Sequence, residues 1–205
     1  MTQKRKSFTL GELAQAIFVG LPVSRHVTPP SKGTEIRVAS VGDIDRECLV
    51  SPEALNTVSL CREDVIRFFI RTGDVLVSCR GTILKACVVP PGYEDVVVSS
   101  NLMVIRLSHD IDPYVVLVLF RSKTWNNLLR LRSRSSADLL QLTVKDIREL
   151  PVPKLSAKNI ATIAGLIENS HAYIRHAERA IALRHALITK TCIDLIFSED
   201  NDESN

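Results

Sequence analysis

The sequence predicts an α+β domain, with a twisted sheet and flanking helices, followed by one long helix of the coiled-coil type. Short apolar or alternating segments separated by glycine and proline fill positions 35–107, which is typical of strands and turns. An isoleucine or leucine then recurs every seven residues near the C-terminal end, which is typical of a helix that packs against another helix. We therefore predict a domain in residues 1–153, a helix in residues 154–197 and an acidic, disordered tail in residues 198–205.

The beginning of the domain has the pattern of a helix followed by a long loop. Thr9 and Glu12 have the spacing of a capping box, in which each residue bonds the backbone of the other. The apolar residues that would share one face of this helix are Leu10, Leu13, Ala14 and Ile17. Between Gly20 and Gly33 prolines and cations predict a stiff, basic loop.

Strands are predicted next, and a helical pattern follows them. The strand-like segments are 35–41, 74–79, 84–89, 96–100 and 102–107. Asp112 followed by Pro113 is a strong helix start, and the helical pattern extends to about Leu131. The residues of this helix expected to face the core are Val115, Val118, Leu119 and Trp125.

Two prolines, Pro151 and Pro153, mark the boundary before the long helix, and Ser156 is placed to cap it. The apolar positions that recur every seven residues are Ile160, Ile167, Ile174, Ile181, Ile188 and Leu195. The second position of the seam is small or polar in several turns, with Arg184 among its members. A helix of this length extends for roughly 60 Å, so its stripe needs a partner helix of similar length. We expect that partner to be another protein molecule, and two shorter helices that fold back on the domain remain the alternative.

The composition excludes several classes of protein. Apolar residues make up 45% of the chain, which indicates a folded core, and the net charge of +3 permits a nucleic-acid partner without requiring one. The five cysteines show no CxxC spacing, so we expect no metal site, and their scattered positions fit a reduced, cytoplasmic protein. Neither a signal peptide nor a membrane span is expected. GxSxG, HExxH and Walker motifs are missing from the sequence, which argues against an enzyme.

Four segments, taken in order, resemble the specificity subunits of type I restriction-modification systems. These segments are Thr72–Thr82 (TGDVLVSCRGT), Val98–Arg106 (VSSNLMVIR), Asp112–Tyr114 (DPY) and Leu142–Pro153 (LTVKDIRELPVP). The resemblance implies that residues 1–153 form a target-recognition domain for double-stranded DNA and that the chain itself is not catalytic. It also implies partners, namely methyltransferase subunits that use S-adenosylmethionine and, in some systems, a restriction subunit. The chain itself is expected to bind no cofactor.

The family usually carries two recognition domains separated by two antiparallel helices, whereas this sequence contains one of each. The resemblance therefore implies a half-subunit, and two copies joined through their long helices would read a two-part palindromic target. The family's helix commonly starts with a Pro-Pro-Leu-x-Glu-Gln-like segment, and here the segment is Pro153–Asn159 (PKLSAKN). The contacts of this chain with a methyltransferase are expected to differ accordingly.

Basic residues before the helix are the candidates for DNA contact, because arginine binds guanine edges bidentately and serine binds bases or phosphates. At the place where the family has a reading loop, the candidates are Arg130, Arg132, Arg134 and Ser135. Further candidates are Arg25 and Lys32 in the long loop, and Arg80 and Lys85 on either side of a turn. The alternative for the first group is a solvated helix end, where cations suit the helix dipole. For Asn101 the alternatives are a base reader and a buried residue that holds a turn, and we expect the second.

Three functions are compatible with these patterns. The first is a DNA-reading specificity subunit, and the second is a homodimeric structural adaptor of a defence complex without base readout. The third, a stand-alone nuclease, requires a cluster of acidic metal ligands that the sequence does not display. The arginine- and serine-rich segment 130–136 favours the first function.

Overall fold

A computed structural model describes residues 7–109, 111–133 and 139–198 and confirms the α+β class with a long C-terminal helix. The strands are β1 Ser7–Thr9, β2 Ala14–Val19, β3 Thr34–Ala39, β4 Ile44–Asp45, β5 Cys48–Leu49, β6 Asn56–Leu60, β7 Val75–Ser78, β8 Arg80–Gly81, β9 Ala86–Val88, β10 Val96–Val98, β11 Leu102–Leu107, β12 Leu140–Gln141 and β13 Pro151–Pro153. The α-helices are α1 Leu10–Leu13, α2 Arg62–Val65, α3 Pro113–Arg121, α4 Lys123–Arg132, α5 Val144–Arg148 and α6 Ala157–Ser198.

The central sheet is antiparallel and has the strand order β2-β11-β7-β9. Val19 pairs with Met103, Leu102 pairs with Ser78, and Val77 pairs with Ala86. The end of β2, the start of β11, the end of β7 and the start of β9 therefore lie at the same end of the sheet. We call this edge, and the loops that leave it, the loop end.

A second sheet has the order β10-β3-β6, with β10 parallel and β6 antiparallel to β3. Val98 pairs with Ala39 at one end of β3, and Leu60 pairs with Thr34 at the other. The amide of Ser99 donates to the carbonyl of Ala39 over 2.9 Å, so the end of β3 lies beside the connection to β11 and hence at the loop end.

Two apolar clusters hold the sheets together. One is built on the central sheet around Leu76 and Val104, and the other is built on the second sheet around Ile36 and Leu60. Phe18 packs against both clusters, so burial of one sheet is coupled to burial of the other.

A buried ion pair joins β11 to the start of β7. The Arg106 guanidinium donates from Nε to Asp74 Oδ1 over 2.9 Å and from Nη2 to Asp74 Oδ2 over 2.7 Å. The two side chains are 16% and 2% exposed. Asp74 also accepts from the Arg71 amide, and Arg106 also donates to the Phe69 carbonyl. The carboxylate and the guanidinium are thus hydrogen-bonded on more than one side, as a buried pair must be.

The prediction of one helix from Thr9 to Ile17 is wrong beyond its first turn. The capping box forms, since the Thr9 amide donates to Glu12 over 2.6 Å and its hydroxyl donates over 3.0 Å. The backbone becomes extended at Ala14, and the following residues form β2. Pairing of β2 with β11 in a buried sheet outweighs the helical periodicity of the segment.

The helical segment after Asp112 is two helices rather than the predicted one. Ser122 is extended, and it both ends α3 and caps α4 by accepting from the Trp125 amide over 3.2 Å. This break changes which residues face the core. Val115 and Trp125 are buried as predicted, Val118 and Leu119 are only half-buried, and Val116, Leu117 and Phe120 are buried instead.

Helix α6 is continuous, which confirms one long helix and makes the alternative of two shorter helices wrong. Ser156 caps it by accepting from the Asn159 amide over 3.2 Å, and its 42 residues extend for about 63 Å. The chain divides into two compact units after Ala164, inside this helix. Ile160, Ile167 and Ile174 are half-buried, whereas residues 181–197 are all exposed.

Within the described ranges, no helix combines the length and the apolar character needed to cross a membrane.

We predict that Asp74→Asn lowers the free energy of unfolding by about 3–5 kcal/mol, because it leaves the Arg106 charge buried without a carboxylate. Chemical unfolding monitored by circular dichroism measures the change. The matched control is Asp95→Asn, which breaks the exposed pair with Arg62 and should cost about 0–1 kcal/mol. Equal losses in the two variants would contradict the structural importance of the buried pair.

Candidate nucleic-acid interface

The loop end of the central sheet exposes an arginine and an asparagine next to each other in the fold. Arg80 lies in β8, just after β7, and its side chain is exposed. The Cys79 amide donates to the Asn101 carbonyl over 2.9 Å, which brings the turn before β11 beside Arg80. Asn101 is exposed, so the expectation that it is buried is wrong. Its side chain is presented to solvent beside Arg80.

A short strand pairing brings the described residues on either side of positions 134–138 to the same place. Arg80 pairs with Gln141 and Gly81 pairs with Leu140 in the β8–β12 ladder, and the Leu142 amide donates to the Cys79 carbonyl over 2.9 Å. Ser133 accepts from the Gln141 amide over 3.0 Å. Ser133 and Gln141, which precede and follow positions 134–138, are therefore held together beside β8. The candidates Arg134 and Ser135 lie outside the described residues.

Arg130 lies on the side of this ladder formed by α4. It is exposed and lines a cleft of about 170 Å³ together with Thr82, Ile83, Leu84 and Leu140. Among the described residues, neither Arg80 nor Arg130 forms an ion pair with an acidic side chain. Both residues are exposed, and Arg130 lines a cleft together with the turn that follows Arg80.

Arg132 and Lys85 have partners within the protein. Arg132 donates from Nη1 to the Asp146 carbonyl over 3.0 Å and lies 3.6 Å from a Glu149 carboxylate oxygen, which connects α4 to α5. Lys85 donates from Nζ to the Ile44 carbonyl over 2.7 Å, which connects the turn before β9 to β4. Both cations therefore hold neighbouring backbone, and DNA contact by either one stays a prediction.

Arg25 and Lys32 are exposed but lie on a different surface. Their loop is attached to the end of β6, because Val27 pairs with Leu60. This is the end of β3 opposite to the loop end. Six residues of β3 separate the two ends, a span of roughly 17–20 Å. The structure thus does not bring this pair together with Arg80 and Arg130.

A second cleft, of about 330 Å³, lies between the β4–β5 hairpin and α3. Charged side chains line part of this cleft. They belong to Arg46 and Glu47 at the hairpin tip, to Lys85, and to Arg121 at the end of α3. Arg121 Nε lies 2.8 Å from Glu47 Oε1. Neither Arg46 nor Arg121 is among the candidates predicted from the sequence, and the hairpin that presents Arg46 gives no strand signal because its strands have only two residues each.

The remaining chemistry of the described residues is limited. No group of three or more His, Cys, Asp or Glu side chains in these ranges is arranged to hold a metal ion. Burial raises the pKa of the Cys79 and Cys87 thiols, so at neutral pH both stay protonated and weakly nucleophilic.

The fold is one found in proteins of restriction-modification systems. The HsdS subunit from Thermoanaerobacter tengcongensis superposes with a TM-score of 0.59 and 21% sequence identity, covering 87% of this chain and 45% of that one. A chain from a structural study of complex assembly in a type I R-M system superposes with a TM-score of 0.59 and 19% sequence identity. The match covers 87% of this chain and 46% of that one. The type IIG restriction endonuclease BpuSI superposes with a TM-score of 0.59 and 9% sequence identity. The match covers 79% of this chain and 26% of that one. No family model and no curated protein matches the sequence.

These likenesses confirm, at the level of the fold, the resemblance to type I specificity subunits. At such identities they establish the fold and no finer property. The chain spans slightly less than half the length of each of the first two structures.

We predict that Arg132→Ala lowers the free energy of unfolding by about 1 kcal/mol, because it removes a charge-assisted bond to the Asp146 carbonyl. Arg130→Ala, on the same helix and exposed, should stay within about 0.5 kcal/mol of the parent protein. Urea unfolding of both variants measures the difference. Equal stabilities would mean that Arg132 does not hold α5.

Proposed function

We propose that the chain is a sequence-specific DNA-binding specificity subunit of a restriction-modification complex. In this role it directs methyltransferase subunits, and an endonuclease subunit where the system has one, to a two-part DNA target. The observation that carries the proposal is that Arg80 and Asn101 are exposed at the loop end, and Arg130 on α4 beside the β8–β12 ladder, on a fold shared with an HsdS subunit.

The side chains at the loop end suit the chemistry of base edges. A guanidinium binds O6 and N7 of guanine, and an asparagine amide binds N6 and N7 of adenine; each such pair contributes about 1–3 kcal/mol of discrimination. Arg80 and Asn101 are attached to neighbouring strands of a buried sheet, so their backbone positions are fixed. Rigid placement favours base readout, because little side-chain and loop entropy is lost on binding.

Catalysis belongs to partner subunits in this proposal. The methyl donor, S-adenosylmethionine, would be bound by the methyltransferase subunit, and this chain would supply recognition alone. The fold also occurs as part of the restriction endonuclease BpuSI. The matched region makes up 26% of the BpuSI chain. That match favours a recognition module that different systems join to different catalytic parts.

The exposed face of α6 supports pairing with a second copy of the chain. Ile181, Ile188 and Leu195 are 59%, 53% and 63% exposed, although they continue the seven-residue stripe. An apolar stripe of this regularity is stabilised when a partner helix covers it. Parallel pairing in register would set Arg184 against Arg184 of the second copy, whereas antiparallel pairing sets it against a different residue. Either orientation gives two recognition domains related by a twofold axis, which suits a palindromic target.

The alternative is a homodimeric structural adaptor without base readout. It would have the same helix and the same fold but would show no preference among DNA sequences. The exposed cations beside the β8–β12 ladder favour the DNA-reading function over this alternative.

Methylome sequencing of cells with and without the protein tests the proposal. We expect methylation at one two-part motif to disappear when the protein is removed, and to stay absent when Arg80→Ala combined with Arg130→Ala replaces it. Arg148→Ala, an exposed arginine on α5, is the matched control and should restore methylation. If no motif changes while the methyltransferase is expressed and active, the DNA-reading function is wrong and the adaptor takes its place.

Analytical ultracentrifugation tests the pairing through α6. The parent protein should sediment as a dimer, and Ile181→Asp combined with Ile188→Asp should sediment as a monomer, because two charges then lie in the apolar seam. Thr189→Asp adds a charge to an exposed position outside the stripe and should leave the dimer intact. A parent protein that is monomeric at tens of micromolar would exclude self-association as the basis of a two-part target.

A further inference from the structure

The turn between β8 and β9 presents an isoleucine to solvent. Ile83 lies in this turn, at positions 82–85, and is 67% exposed. A single exposed isoleucine is ordinary on a protein surface. Ile83 differs in two respects, because a buried side chain holds its turn and because the residues proposed to read bases lie beside it.

The buried side chain that closes the turn belongs to Ser78, at the end of β7. Ser78 is 1% exposed, and its hydroxyl donates to the Ile83 carbonyl over 3.2 Å and accepts from the Lys85 amide over 2.9 Å. The Ser78 amide donates to the Lys85 carbonyl over 2.8 Å. Lys85 is held in turn through Nζ, which donates to the Ile44 carbonyl over 2.7 Å. The backbone that carries Ile83 is therefore fixed to the central sheet.

The Ile83 side chain is itself stiff. Isoleucine is branched at Cβ, which restricts rotation about the first side-chain bond. A stiff side chain on a fixed turn loses little conformational entropy when a ligand contacts it. Because Ile83 is exposed, we expect its truncation to alanine to change the melting temperature by no more than about 2 °C.

The turn lies within the surface proposed to read DNA. Arg80 precedes Ile83 by three residues, and the Cys79 amide donates to the Asn101 carbonyl over 2.9 Å. Ile83 and Arg130 line the same cleft of about 170 Å³. This surface therefore combines guanidinium and amide groups with one branched apolar side chain.

The chemistry of the major groove indicates what such a side chain contacts. The guanine groups that an arginine binds, and the adenine groups that an asparagine binds, lie in the major groove. If Arg80 reads a guanine there, Ile83 on the adjoining turn faces the same groove. The apolar group that base pairs present in this groove is the C5-methyl of thymine, and the minor groove presents none. An isoleucine at this position therefore suits a thymine.

We propose that Ile83 is a specificity-determining residue whose side chain contacts the C5-methyl group of a thymine in the target. This inference rests on the proposed function and adds to it a contact that uses no hydrogen bond. Covering one methyl group contributes about fourfold in affinity, the value expected for burial of one methylene-sized group.

Binding of the full chain to duplexes with and without this methyl group tests the contact. The probes are the motif found by methylome sequencing, a scrambled duplex of the same length, and the motif with each thymine in turn replaced by uracil. Uracil lacks only the methyl group. At one thymine position, the parent protein should bind the uracil duplex about fourfold more weakly, as measured by fluorescence anisotropy. Ile83→Ala should bind the thymine and uracil duplexes equally at that position.

Two further variants separate a base contact from a structural effect. Ile66→Ala is the matched control, because Ile66 follows α2 and is 68% exposed, and this variant should discriminate as the parent does. Ile83→Val keeps a branched apolar side chain, so it should also distinguish thymine from uracil. A loss of discrimination in Ile83→Val equal to that in Ile83→Ala would assign the effect to the turn and overturn the inference.

The remaining outcomes distinguish this contact from the proposed function. If the parent protein prefers the motif but uracil changes its affinity and that of Ile83→Ala by the same factor at every position, the thymine contact alone is wrong. A motif without thymine would overturn the contact in the same way. A parent protein that binds the motif no better than the scrambled duplex would overturn both the contact and the proposed function.

Discussion

The ion pair between Asp74 and Arg106 fixes the register on which the remainder of the domain depends. It joins the start of β7 to β11. Arg106 also donates to the Phe69 carbonyl, so the pair connects both strands to the segment before β7. The two residues belong to two of the segments that resemble specificity subunits, so those segments meet in space. A shift of β7 against β11 by one residue would break the pair. It would also turn the side chains of the shifted strand to the opposite face of the sheet.

The elements predicted correctly are those determined by local pattern. The strands around Leu76 and Val104 and the long helix follow from apolar runs and a seven-residue repeat. The helix predicted through Ala14 failed because β11, about ninety residues later, pairs with that segment. The juxtaposition of Arg80 with Gln141 is likewise a long-range pairing of very short strands, so no local signal predicts it.

Four of the predicted DNA-contact cations fall into two groups with different physical roles. Arg132 and Lys85 donate to backbone carbonyls and hold α5 and the β4–β5 hairpin in place. Arg80 and Arg130 are exposed, Arg80 just before the turn 82–85 and Arg130 in a cleft lined by that turn. Residue type alone does not separate these groups, because each contains arginine or lysine in a basic stretch. The separation depends on which carbonyl groups the fold brings within hydrogen-bond distance.

The pairing of β12 with β8 has an evolutionary consequence. Ser133 and Gln141 are bonded to each other, and β12 is paired with β8. Leu142, directly after β12, is buried. Backbone groups make the pairing of Arg80 with Gln141, and both of these residues are exposed. Their side chains can therefore diverge without removing the ladder or the buried anchor. A lineage could thereby change the chemistry of this surface while it keeps an unchanged core.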